Sequence, residues 1–194
     1  MNNFDKVIGY DAIKKELLQI CDMVKNKSVY EKLGAKFPRG VLLYGDPGLG
    51  KTLMAKCFIA ECNLETFTIR KTKSENFVEH ISETFEKAKE KAPAIIFLDD
   101  MDKFANEDND HINAEEYIAV QSGIDNVKES DVFVIATVNE FGKMPNSLTR
   151  SGRFDRCIEV HTPNSEDYEK IISYYLKDKK VDEDINVSDI SKMI

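Results

Sequence analysis

Short apolar runs bounded by Gly, Pro and Asp alternate along the chain with longer segments whose apolar residues recur at helical spacing. That alternation predicts an α/β domain built on a mostly parallel sheet. Five runs read as strands, over residues 41–44, 64–69, 95–98, 132–137 and 157–160. VLLY, IIFL and VFVIAT are near-continuously apolar, as strands covered on both faces are, so these three should form the centre of the sheet. Helical spacing predicts helices over 11–26, 52–62, 75–91, 114–124 and 165–177, with a last piece from Val187. Within 75–91, Phe77, Ile81, Phe85 and Ala88 make one apolar stripe, and Pro93 stops the run before the next strand. Ser165 follows Pro163 and Asn164 and can cap the next helix, with Ile171, Ile172 and Tyr175 on its inner side. The acidic, polar stretch from Phe104 to Glu116 reads as an exposed loop.

The chain has 194 residues, 42% of them hydrophobic, enough for one compact domain with a core. Its formal charge is −8, and no basic block could neutralise a run of phosphates, which argues against a nucleic-acid partner. No apolar run approaches the roughly 20 residues that span a bilayer, and the start, MNNFDKVIGYD, lacks the pattern of a secretory signal. A cytoplasmic setting is expected, on the cytosolic face of a membrane if an anchor lies upstream in a longer parent. Cys21, Cys57, Cys62 and Cys157 show no C-x-x-C spacing and are expected to be small buried thiols rather than disulfide partners or zinc ligands.

The stretch Gly45-Asp46-Pro47-Gly48-Leu49-Gly50-Lys51-Thr52 follows a buried strand and opens a helix, the context that the G-x-x-x-x-G-K-[ST] pattern requires. Its glycines let amide N–H groups approach phosphate oxygens, and the helix adds the positive end of its dipole. Lys51 is then placed for the β- and γ-phosphates and Thr52 for Mg²⁺. The bare pattern arises by chance in roughly one chain in a hundred of this length. With the start of the helix included, residues Asp46 to Leu53 form the predicted phosphate-binding stretch.

A second station lies in AIIFLDDMD, an apolar strand that delivers carboxylates at its carboxyl end, where ligands sit in open α/β sheets. Asp99 is placed to hold Mg²⁺ through water, and Asp100 to orient or deprotonate an attacking water. Alone, these acidic residues read equally well as loop or helix-cap residues. Together with the phosphate loop they make a nucleotide-hydrolysing site.

These motifs resemble the AAA family of ring-forming ATPases, particularly the ATPase modules of FtsH-type proteases and proteasome-activating proteins. The resemblance covers FDKVIGYDAIKKEL, YEKLGAKFPRGVLLYGDPGLGKT, the strand into Asp99, the strand ending at Asn139 and LTRSGRFDR at 148–156. It implies a P-loop α/β domain over 1–162 with a five-stranded parallel sheet, followed by the start of a small helical lid over 163–194. It also implies ATP or ADP with Mg²⁺ as cofactors, a protein substrate, and a homo-oligomeric ring of six when the full lid is present. By the same resemblance Asn139 is the polar sensor holding the water and γ-phosphate, although a plain turn residue would also end a strand there. Arg150 and Arg153 match the arginines supplied in trans to a neighbour's ATP, the alternative being a solvated basic turn. Ile8 and Gly9 match the loop that holds adenine by its backbone. Ile171 and Tyr175 match lid positions closing over the base.

Three departures from the family pattern qualify these implications. Asp100 stands where the family has Glu, so its carboxylate is retracted by about 1 Å or more, and slow hydrolysis is expected. The aromatic-apolar-Gly pore loop is missing between Ile69 and Phe85, which leaves only Phe77 and Val78 to grip polypeptide, and both fall on or beside the apolar stripe. The lid runs to Ile194 in an apolar pattern with no helix stop signal, and is expected to be truncated. No HExxH pair occurs, so no peptidase centre is expected in these residues. Two rivals to an ATP-driven remodelling module stay open. One is an ATP-dependent conformational switch with weak hydrolysis, and the other is an interaction domain with a dead site.

Overall fold

The computed structural model describes residues 2–73, 76–105, 114–149, 152–177, 179–180 and 186–191. Five parallel strands form one sheet: β1 (Gly40–Tyr44), β2 (Glu65–Arg70), β3 (Ala94–Asp99), β4 (Val132–Val138) and β5 (Arg156–Glu159), in the order β2-β3-β4-β1-β5. The three apolar runs are the three inner strands, as predicted. The helices are α1 (Asp11–Lys25), α2 (Lys27–Lys32), α3 (Lys51–Cys62), α4 (Phe77–Glu90), α5 (Ala114–Asn126), α6 (Ser165–Leu176) and α7 (Val187–Ser191).

Strand side chains alternate between two faces, and each face has its own core. Leu42, Ile96, Leu98, Val134 and Ala136 pack with Phe77, Ile81, Phe85 and Ala88 of α4 and with α5. Val41, Leu43, Ile95, Phe97, Phe133 and Ile135 pack with Ile13, Leu17 and Ile20 of α1 and with Met54, Ala55 and Phe58 of α3. Phe77 is only 3% exposed and meets Phe104 edge-on, so it is a core residue and cannot grip polypeptide.

Several expectations are corrected. The stretch beginning at Phe104 is not wholly an exposed loop: Phe104 and Ala105 are fully buried and the chain is helical again from Ala114, while 106–113 lie outside the described residues. The cap of α6 is Asn164 rather than Ser165, its side chain accepting the Asp167 N–H at 2.9 Å. Tyr175 is 69% exposed, beside Tyr174, so it is not on the inner side of the helix. Cys157 is exposed, whereas Cys21, Cys57 and Cys62 are buried, the Cys62 thiol lying 3.1 Å from that of Cys21. Helix α2 escapes sequence reading because it buries no residue and so has no apolar stripe. It is closed locally instead, by N–H donation from Gly34 to the Glu31 carbonyl and from Ala35 to the Tyr30 carbonyl, with Gly34 at φ +71°. Among the described residues no helix is long and apolar enough to cross a membrane.

Helices α4 and α5 come together at Gly123, where a Cβ would sit 2.4 Å from the buried ring of Phe85. Forcing volume into a packed core costs about 1–3 kcal/mol, against which Ala returns up to about 1 kcal/mol of helix propensity. Gly123→Ala should therefore lower unfolding stability by about 1–2 kcal/mol in chemical denaturation, and an unchanged midpoint would contradict this packing.

Candidate active site

Strand parity builds the site. Ile95 and Phe97 of β3 and Phe133 and Ile135 of β4 face α1 and α3, so Asp99 and Thr137, two residues further on, face the same way. Helix α3 begins at Lys51 on that face and presents Thr52 to Asp99. The Thr52 and Thr137 hydroxyls each donate to Asp99 Oδ1 at 3.0 Å. Asp99 is 4% exposed and Thr137 fully buried. Thr137 also accepts the Asp100 N–H at 2.9 Å, which fixes the turn where Asp100 adopts left-handed angles (φ 53°, ψ 51°). A buried carboxylate with a hydroxyl beside it is a hard oxygen donor pair of the kind Mg²⁺ takes, directly or through its waters.

The phosphate loop joins β1 to α3. Gly45 has φ +139°, and a Cβ there would lie 2.2 Å from the Val160 carbonyl oxygen, so no other residue fits. Gly50, at φ +88°, turns the chain into α3. Asp46, Pro47 and Gly48 are exposed, Leu49, Gly50 and Thr52 half-buried, and Leu53 is 43% exposed on the first turn of the helix. Lys51 is buried and folds back onto the loop, donating to the carbonyls of Gly45 at 2.6 Å and Asp46 at 2.7 Å. Burial pushes its ammonium below the ordinary lysine range, opposed by the negative charges of Asp102, Asp100 and Asp46. A cation so short of solvation is well suited to a polyphosphate.

Asn139 stands one residue past β4. Its amide Nδ2 donates to Asp100 Oδ1 at 3.3 Å and its backbone N–H to Asp102 Oδ1 at 3.2 Å. Lys103 Nζ lies 2.7 Å from Asp100 Oδ2, and Arg70, at the end of β2, lies 3.5 Å from the same oxygen. The Lys103 hydrogen bond is the chief reason the Asp100 carboxyl sits below its usual range, with Lys103 charge, Asn139 and Arg70 adding to it. Asp100 is thus a weak base, better suited to aiming a water than to pulling its proton away.

The remaining predicted residues form two groups. Ile8 is half-buried and Gly9 buried, in the turn before α1. The next residue, Tyr10, has left-handed angles, and its N–H donates at 2.9 Å to Asp167, a buried carboxylate of α6. Ile171, one turn on in α6, is half-buried, while Tyr175 points to solvent. Arg153 is held inside its own chain: Nε donates to Asp125 Oδ1 at 3.0 Å, Nη2 to Oδ2 at 2.7 Å, and Nη1 to the Ser147 carbonyl. The structure therefore pairs this guanidinium internally instead of presenting it as a free turn. Arg150 lies outside the described residues.

Sequence reasoning missed Thr137, Asp102, Lys103, Asp125 and Asp167. Thr137 had a signal, being the one polar residue of an otherwise apolar inner strand and matched in parity to Asp99. Asp125 and Asp167 had none, since their partners lie 28 and 157 residues away.

A phosphate loop after β1, a buried carboxylate at the end of β3 and a polar amide after β4, all at the carboxyl edge of one parallel sheet, define a P-loop nucleoside-triphosphate-binding protein. Residues 41–162 match the ATPase family associated with various cellular activities (AAA), and the chain belongs to that family. It is 34% identical over 200 residues to the ATP-dependent zinc metalloprotease FtsH of Ureaplasma parvum, covering 97% of this chain and 28% of that protein. FtsH 2 of Salinibacter ruber is 34% identical over 202 residues, covering 97% of this chain and 29% of that protein. FtsH 2 of Thermoanaerobacter sp. is also 34% identical over 202 residues, with 97% and 39% covered. The chain thus corresponds to an AAA ATPase module and spans well under half the length of these relatives.

Asp125 sits at a pKa of about 2, held down chiefly by the Arg153 hydrogen bonds. A carboxyl lowered on folding stabilises the protein above its unfolded pKa, about 3.9, and the benefit fades as pH falls through the folded value. Asp125→Asn should therefore melt below the parent protein at pH 6, with the gap shrinking from about pH 4 toward pH 2. A gap independent of pH in thermal unfolding would contradict this ion pair.

Proposed function

We propose that this chain binds Mg-ATP and hydrolyses it at an interface between subunits to remodel protein substrates, working in the cytosol as one member of a ring of six. Residues 1–162 are the nucleotide-binding domain and 163–194 the beginning of its lid. The observation that carries this reading is the convergence of Lys51, Thr52, Asp99, Asp100 and Asn139 at one sheet edge. On ATP binding, Lys51 exchanges the Gly45 and Asp46 carbonyls for β- and γ-phosphate oxygens. Thr52 and Asp99 would hold Mg²⁺, which would supply positive charge against the phosphate oxygens. Asn139 and Asp100 aim the water in line with the bond that breaks. Ile8 and Gly9 meet the adenine through their backbone, with Ile171 and Tyr175 of the lid helix over it.

Arg150 and Arg153 serve the neighbouring subunit's ATP, and for Arg153 this requires release from Asp125.

A second reading has its own support. The Asp100 carboxylate is short and is bound by Lys103, Arg70 and Asn139, which favours an ATP-held conformational switch with weak hydrolysis. Turnover of Mg-ATP per subunit, measured against protein concentration with Lys51→Ala as the blank, separates the two. The motor reading expects turnover that rises with concentration. Tight ATP binding with no turnover at any concentration would select the switch. Asp100→Glu should raise turnover, by up to about a hundredfold if reach alone limits the rate; an unchanged or lower rate would remove Asp100 from the role given to it.

A further inference from the structure

We infer that Lys103 is a positioning residue that restrains the Asp100 carboxylate and slows hydrolysis, a brake made by this chain's own turn chemistry. The inference rests on the role proposed above for Asp100.

The left-handed backbone at Asp100 leads directly into a single 3₁₀ turn, Met101–Lys103. In that tight turn residues three apart stack over one another, so Lys103 returns over Asp100, and its N–H donates to the Asp100 carbonyl at 3.0 Å. The side chains follow the backbone, and Lys103 Nζ reaches Asp100 Oδ2 at 2.7 Å. Arg70 approaches the same oxygen at 3.5 Å, because β2 and β3 pair in a register that sets Arg70 opposite Asp99. Asn139 occupies Oδ1 at 3.3 Å. Both oxygens are therefore engaged before any water arrives.

A carboxylate has lone pairs left over after these bonds, so Asp100 is restrained and not blocked. The restraint matters more for Asp than for Glu. With one methylene fewer, Asp100 has less freedom than Glu to keep the Lys103 contact and also turn toward a water. Lys103 and Arg70 differ in how they can let go. The Lys103 side chain is 55% exposed on a flexible four-carbon stem, whereas the Arg70 contact is longer and shared with Asp99 at 3.7 Å. Lys103 is accordingly the partner whose removal frees Asp100 with least disturbance to Asp99. An exposed ion pair is weak, so its release changes the rate severalfold and not by orders of magnitude.

Lys103→Met keeps most of the aliphatic stem and removes the charge. In the full chain at a protein concentration that gives maximal turnover, it should raise kcat for Mg-ATP about three- to fivefold with KM unchanged. Lys103→Arg, which restores a cation at the same place, should return kcat to near the parent value. In an Asp100→Asn background, Lys103→Met should leave the residual rate unchanged. A kcat that stays the same or falls in Lys103→Met, or an equal rise in the Asp100→Asn background, would overturn the brake. If Asp100→Asn alone hydrolyses ATP at the parent rate, the role of Asp100 falls first and the brake falls with it.

Discussion

A single buried oxygen, Oδ1 of Asp99, ties together the carboxyl edge of the sheet. It accepts hydroxyl hydrogen bonds from Thr52 on the phosphate-loop helix and Thr137 on the neighbouring strand, joining three elements far apart in sequence. A carboxylate this buried is costly unless satisfied, and here the two hydroxyls satisfy it. Thr137 then passes the constraint on, because its oxygen also takes the Asp100 N–H. The orientation of the turn at Asp100 is therefore inherited from the pairing of β3 with β4. Any nucleotide that recruits a cation to Asp99 must exchange with, or insert beside, these same hydroxyls.

The sheet enforces this arrangement through parity. Each inner strand contributes residues alternately to two separate cores, and the last residue on the α3 side of β3 and β4 is polar where the earlier ones are apolar. A shift of one residue in either strand would carry Asp99 or Thr137 to the opposite face and bury it among Phe77, Phe85 and their neighbours. Packing on both sides of the sheet, rather than hydrogen bonding at the site, thus sets the register on which the chemistry depends.

Much of this was readable from the chain because buried parallel strands are written as continuous apolar runs. VLLY, IIFL and VFVIAT are the three inner strands, and the glycine-rich turn and paired aspartates at their ends announced the site. What could not be read depended on partners distant in sequence or on backbone closure without an apolar face. Helix α2 is of the second kind, held by turns around Gly34 while its own Val29 and the Leu33 that follows it stay exposed. Arg153 is of the first kind, since a guanidinium beside Gly152 has no local mark of the Asp125 that captures it. Tyr175 failed differently: helical spacing assigns an inner face only where something packs against it, and at the end of α6 the described residues leave that ring in solvent.

The hydrogen bond from Tyr10 to Asp167 has a consequence in time. It closes the turn containing Gly9 against α6, yet its two ends are separated by 157 positions in the chain. At synthesis rates of roughly 5–20 residues per second, the carboxylate is made about 8–30 s after its partner. For most of that interval the phosphate loop is already on the growing chain, while the turn containing Gly9 lacks the group that fastens it. A nascent chain therefore carries its phosphate loop well before the turn containing Gly9 can be fastened, and the order in which the two are secured is written into the order of the chain.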